Sequence, residues 1–219
     1  MKIVSLPTLM AVVLFWAYPG GAQTIYYDRG SFLGDGRVGA TGGIDFDSIA
    51  NGTDLNNQTV QGITFSAPGS SPLLVMPGSS GVRFGLSPSS GLYVLSPGGP
   101  DQNLEEDDLM LVFANPVQAF GLDVVLDVPD GASYVSASFY DELGNLLGQD
   151  GFIPAPSGAP GYQFVGMVAN GAVIKQVVFD EFDPTANDDH VAYDSLVFSP
   201  AVIPEPGTMG VVVLGVVVL

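Results

Sequence analysis

Tyr134-Val135-Ser136-Ala137-Ser138-Phe139-Tyr140, followed by Asp141-Glu142-Leu143-Gly144-Asn145, decides the fold class of this chain. Val135, Ala137 and Phe139 alternate with Tyr134, Ser136, Ser138 and Tyr140, a period of two that gives an extended strand one apolar face. The next five residues are turn formers, with Gly144 free to take a positive φ, and Leu146-Leu147-Gly148-Gln149 resumes a strand. A hairpin is predicted here, and the same grammar recurs along residues 23–201. Short β-rich runs are expected at Ile44–Phe46, Gly62–Ser66, Leu73–Met76, Val82–Leu86, Leu92–Leu95, Leu109–Ala114 and Val117–Leu126. Tyr162–Val168, Val173–Asp180 and Val191–Ser199 continue the series. Gly, Pro, Asn, Asp and Ser clusters separate them. No amphipathic helix longer than a couple of turns is visible, although Asp28 to Leu33 can form a helical turn. About a dozen short strands in this span predict an all-β protein, a β-sandwich or jelly roll.

Composition narrows the chemistry. The 219 residues contain no Cys and one His, which excludes a disulfide framework, a thiolate nucleophile and multi-histidine metal sites. Asp and Glu number 23 against 5 Lys and Arg, a formal charge of -18 at pH 7. Nucleic acid and anionic membrane surfaces are therefore poor electrostatic partners. The carboxylates are uneven: residues 101–219 hold 18 of the 23, with Lys175 as the sole basic residue there. Bound divalent cations or a high ionic strength would relieve their repulsion.

The ends read as addresses. Lys2, an apolar stretch from Ile3 to Ala17 and the small pair Gly20 and Ala22 predict a secretory signal over residues 1–22, cleaved between Ala22 and Gln23. The apolar stretch is short for a membrane span of about 20 residues. At the other end Pro204-Glu205-Pro206-Gly207-Thr208 precedes an apolar run from Met209 to Leu219. As a helix those eleven residues would span about 16 Å, short of the roughly 30 Å of a bilayer core.

Behind a signal peptide, that triplet and apolar run resemble the PEP-CTERM sorting tail of Gram-negative bacteria. The resemblance implies processing by an exosortase-type membrane protease, with transient membrane contact through the tail (202–219). Such tails normally close on a basic cluster; no basic residue follows Lys175. The body adds to the likeness. Ile44-Asp45-Phe46-Asp47, Gly52-Thr53, Gly62-Ile63-Thr64-Phe65-Ser66, Ala119-Phe120-Gly121, Gly144-Asn145-Leu146-Leu147-Gly148 and Tyr193-Asp194-Ser195-Leu196-Val197-Phe198 resemble landmarks of PEP-CTERM secreted proteins. They imply a sandwich of carbohydrate-binding-module-like shape over residues 23–201, exported to the cell exterior or outer surface. A short apolar helix is expected after it.

Several motifs carry less than their letters suggest. Gly34-Asp35-Gly36-Arg37-Val38-Gly39 has the dinucleotide-binding spacing, but Ala40-Thr41-Gly42-Gly43 cannot open the required helix. His190 stands in Asn187-Asp188-Asp189-His190 with no nucleophile elbow, and reads as an exposed loop residue. Glu105-Glu106-Asp107-Asp108 is an acidic run of the solvated kind, and adjacent carboxylates do not supply glycosidase geometry. Asn51-Gly52-Thr53 and Asn57-Gln58-Thr59 have the glycosylation pattern but serve as turns. The remaining candidate is a calcium site. Asp45 and Asp47 are expected on one side of a first strand, and Asp194 on a last strand lying beside it, with loop carbonyls completing six to eight oxygens. The functional expectation is a non-catalytic secreted protein with a structural or adhesive role in the envelope or extracellular polysaccharide matrix. The alternative is a carbohydrate-binding module using Tyr26, Tyr27, Tyr93 or Tyr162, since signal cleavage removes the sole Trp, Trp16. A hydrolase ranks third.

Overall fold

The computed structural model describes residues 23–68, 72–78, 88–98, 108–126, 134–153, 161–182 and 191–201. The expected signal peptide, the tail with its apolar helix, the strand at Val82–Leu86 and His190 all lie outside them.

The expected hairpin is present. β8 (Tyr134–Tyr140) and β9 (Leu146–Ile153) pair antiparallel. Asp141 Oδ1 accepts the backbone N–H groups of Leu143 and Asn145, both at 2.8 Å, and Gly144 takes φ +78°. The side chain thus fixes the turn and Gly144 closes it without a Cβ penalty. Among the described residues twelve strands are joined into one antiparallel network. Before the hairpin come β1 (Thr24–Tyr26), β2 (Gly42–Ile44), β3 (Thr59–Val60), β4 (Ile63–Ser66), β5 (Leu73–Pro77), β6 (Tyr93–Pro97) and β7 (Leu109–Leu126). After it come β10 (Gly161–Val168), β11 (Ile174–Phe182) and β12 (Val191–Pro200). A helical turn, α1 (Arg29–Leu33), is capped by Asp28, whose carboxylate accepts the Ser31 N–H at 2.7 Å.

β7 organises the sandwich. The sequence suggests two strands here, Leu109–Ala114 and Val117–Leu126; the structure has one strand of 18 residues. Its first half pairs with β4 and β11, its second with β10 and β12. Pro116 has no N–H to give the ladder, and the register with β11 slips between Ile174 and Gln176 at this place. The strand therefore changes sheet at Asn115–Pro116. Sheet I runs β3-β4-β7-β11-β8-β9 and sheet II contains β1, β10, the rest of β7, β12, β2, β6 and β5.

The inner faces meet in one apolar core. Phe65, Leu111, Phe139 and Val177 come from sheet I; Leu122, Val124, Val165 and Tyr193 come from sheet II. Contacts cross the gap between unpaired strands. The Phe179 and Tyr193 rings lie 5.2 Å apart, and Phe120 lies 6.5 Å from Phe139. Such aromatic pairs add about 0.5–1.5 kcal/mol each beyond the area they bury. On the outer face of sheet II, Phe32 of α1 packs against Phe164, Ala119, Val168 and Val197.

Candidate functional site

The outer face of sheet II carries the buried charges. Asp123 of β7 and Asp194 of β12 are register partners on adjacent strands, and both are buried. Asp123 is the sole ionisable residue in the apolar run Phe120–Leu126. Its Oδ2 lies 3.0 Å from Arg29 Nη2, and that nitrogen also donates to the Ser195 carbonyl at 2.5 Å. The Arg29 guanidinium sits 4.7 Å above the Phe164 ring. One basic side chain at the start of α1 thus ties three strands' worth of the outer face to the helical turn. Asp123 Oδ1 is buried and has no hydrogen-bond partner among the described residues.

Asp194 is held from the opposite side by residues 89 and 90. Its Oδ2 accepts the Ser89 hydroxyl at 3.0 Å and the Ser90 N–H at 2.9 Å, while Oδ1 accepts the Ser195 N–H at 2.6 Å. Burial pushes the carboxyl upward from the usual range, and the donors of Ser90, Ser89 and Ser195 oppose that shift. Ser195 takes φ +49° where the β7–β12 register slips, and this turns its carbonyl to Arg29.

Asp47 grips the same loop a few residues on. Its Oδ1 accepts the N–H groups of Leu92 at 2.7 Å and Tyr93 at 3.0 Å. The carboxylate fills the space beside Gly91: a Cβ there would fall 1.7 Å from Asp47 Oδ2. The segment from Ser89 to Tyr93 is thus clamped between Asp194 and Asp47, each acting through backbone donors.

The structure places the three residues of the expected calcium site as follows. β2 and β12 do lie side by side, with Ile44 opposite Leu196. Yet β2 stops at Ile44, and Phe46 takes φ +61° with its ring buried, so Asp45 and Asp47 leave a turn rather than one strand face. Asp45 is exposed and accepts the Asp47 N–H at 3.2 Å. Among the described residues no three His, Cys, Asp or Glu side chains gather as a metal-holding group. Asp47 Oδ1 and both oxygens of Asp194 accept N–H or hydroxyl donors from residues 89–93 and 195.

The other candidates fall as follows. The Gly34–Gly39 segment follows α1 instead of opening a helix. There Asp35 accepts Arg37 Nη2 at 2.6 Å and the Tyr26 hydroxyl at 2.5 Å, and Arg37 holds its carboxyl well below the usual carboxylate range. Gln23 Oε1 accepts the Asn170 N–H at 2.7 Å, whereas Ala22, Pro204, Glu205 and Pro206 lie outside the described residues. Tyr27 and Tyr162 are exposed, Tyr26 packs edge-on against Phe32, and Tyr93 is half-buried. By strand alternation Tyr26 and Tyr162 share the outer face of sheet II, while Tyr27 lies in a bend just past β1. Arg29, Asp123, Ser89, Ser90 and Gly91 were not singled out from the sequence. A lone aspartate inside Phe120–Leu126 is the one signal that could have found Asp123.

Compared with known protein families and with curated proteins, the sequence matches none. Among solved structures, the chain is similar to the K2 cleaved adhesin domain of Lys-gingipain, at 12% identity and a TM-score of 0.47, over 74% of this chain and 99% of that one. It is also similar to a family 29 carbohydrate-binding module complexed with cellulohexaose, at 13% identity and a TM-score of 0.37, over 73% of this chain and 91% of that one. The sandwich assignment rests on the strand pairing itself.

Proposed function

We propose that this is an exported or surface-sorted, non-catalytic β-sandwich protein of a Gram-negative bacterium. Its role is structural or adhesive, in the envelope or the extracellular polysaccharide matrix. The observation that carries this reading is how the carboxylates are used. Asp194 is fully buried and takes loop donors, and Asp47 takes two backbone N–H groups. A general acid or nucleophile must face its substrate, whereas these groups face the protein's own loops. The Lys2–Ala22 segment and the Pro204-Glu205-Pro206 triplet support export and sorting by an exosortase-type protease. They flank a sandwich whose first strand begins at Thr24 and whose last ends at Pro200.

Fractionation of the producing cells, with intact-mass measurement, tests this. The protein is expected in the extracellular matrix or outer-surface fraction, starting at Gln23. Recovery in the cytosol with Met1 retained would overturn it.

A further inference from the structure

The outer face of sheet I differs from the rest of this acidic molecule. Its strand register places side chains in rungs across the sheet. In one rung Leu146 lies beside Tyr140, Tyr140 beside Gln176, Gln176 beside Val112, and Val112 beside Thr64. In the next rung Gln149, Ser138, Val178, Met110 and Ser66 follow the same order. Neighbours on these strands, including Phe139, Val177, Leu111 and Phe65, point into the core, so the rung residues face outward. No member of either rung is charged, in a chain whose net charge is -18. Among the described residues charge returns at the margins: Asp180 lies opposite Ser136, Asp108 accepts the Glu181 N–H at 3.0 Å, and Lys175 Nζ donates to the Ala114 carbonyl at 2.9 Å.

We infer that this strip binds an uncharged polysaccharide strand, an inference that rests on the proposed matrix role and names the surface for it. Five strands about 4.8 Å apart give a track roughly 19 Å long, and two rungs along the strands make it about 7 Å wide. Those are the proportions of a linear polymer rather than of a compact small molecule. Amides and hydroxyls (Gln149, Gln176, Thr64) offer both donors and acceptors to sugar hydroxyls. The Tyr140 ring and the Val112 and Val178 methyls offer apolar contact to the C–H faces of the rings. A second copy of this chain is disfavoured as the occupant, because two bodies of charge -18 repel. An anionic polysaccharide meets the same repulsion.

Affinity gel electrophoresis of the full chain through hydroxyethylcellulose, with alginate as the anionic comparison, tests the strip. Retardation by hydroxyethylcellulose is expected, weakened roughly tenfold in Gln176→Ala and in Tyr140→Ala, because each strands a polar or apolar partner on the ligand. Tyr162→Ala, on sheet II, is expected to bind as wild type. Melting temperatures within a few degrees of wild type would show that the strip variants fold. Wild-type binding by folded strip variants, with loss in Tyr162→Ala, would overturn the strip and leave the polysaccharide role standing. Retardation by alginate alone would overturn the uncharged ligand. A dimer dissolved by Gln176→Glu would assign the face to self-association and overturn the proposal. Absence of retardation in both gels would overturn it too, and the matrix fractionation would then judge the role separately.

Discussion

Replacing Gly91 by Ala tests the clamp on the 89–93 loop most directly. Two costs are expected. Gly91 has φ +46°, a left-handed conformation that costs an L side chain roughly 1–2 kcal/mol. The new Cβ would also stand 1.7 Å from Asp47 Oδ2 and 2.2 Å from its Cγ, so the carboxylate must leave. Asp47 then loses its bonds to the Leu92 and Tyr93 N–H groups, worth about 1 kcal/mol each at a half-exposed site. The total is about 3–4 kcal/mol. For a sandwich of this size that lowers the melting temperature by roughly 6–16 °C.

Differential scanning calorimetry reads the shift, and Gly144→Ala is the reference. Gly144 has φ +78°, but an added Cβ there meets nothing within 4 Å. It should show the backbone cost alone, about 1–2 kcal/mol. A double-mutant cycle sharpens the point: in an Asp47→Ala background, Gly91→Ala should cost only that backbone amount, leaving a coupling of about 2 kcal/mol. Equal costs for Gly91→Ala and Gly144→Ala, or a coupling near zero, would refute the clamp.

Three further outcomes are expected. Asp35 has a depressed carboxyl in the fold, so its contribution to stability is present above the unfolded value of about 3.9 and is lost as pH falls through the lower folded value; urea midpoints measured from pH 6 downward should therefore fall less steeply in Asp35→Asn than in wild type. Calcium should raise the melting temperature equally in wild type and in Asp45→Ala, as charge screening would, because Asp45 is exposed and bonded to the Asp47 N–H; calorimetry with and without chelator would expose a specific site at Asp45 as an unequal shift. Glu205→Ala should leave the protein in the membrane fraction of a host with an exosortase, and unchanged localisation on immunoblots would remove the sorting reading.

What the sequence made legible was what local chemistry decides. Alternation in Tyr134–Tyr140 and the Asp141–Asn145 turn set the hairpin without reference to the rest of the chain. The helical turn expected from Asp28 to Leu33 is likewise present as α1, with Asp28 as its cap. The expectation that Asp45 and Asp47 share one strand face missed what long-range geometry decides. Asp45-Phe46-Asp47 has the letters of an alternating strand, but pairing with β12 ends at Ile44 and Phe46 turns inward through a left-handed conformation. Residues 109–126 failed in the other direction. Asn115-Pro116 reads as a break, yet pairing with β10 and β12 beyond it carries the same strand into the second sheet. The Ser89–Tyr93 clamp was not visible because its partners lie 45 and 105 positions away.

The acidity of the chain takes on a structural meaning once these contacts are set side by side. Asp28, Asp35, Asp45, Asp47, Asp54, Asp108, Asp141 and Asp194 each accept at least one backbone N–H. In a turn-rich sandwich every loop leaves backbone donors without ladder partners, and those donors need acceptors. Aspartate meets that need with a short, rigid side chain and a charge-assisted bond. With no cysteine to cross-link its loops, this chain fixes them through carboxylates. A carboxylate given N–H donors is also stabilised as an anion, which offsets part of the repulsion that a charge of -18 imposes on a compact body. The two rungs on sheet I's outer face, built of Leu, Tyr, Gln, Val, Thr, Ser and Met, carry none of those carboxylates. The neutrality of these two rungs is therefore local to the surface, and it is the feature on which the proposed polysaccharide strip rests.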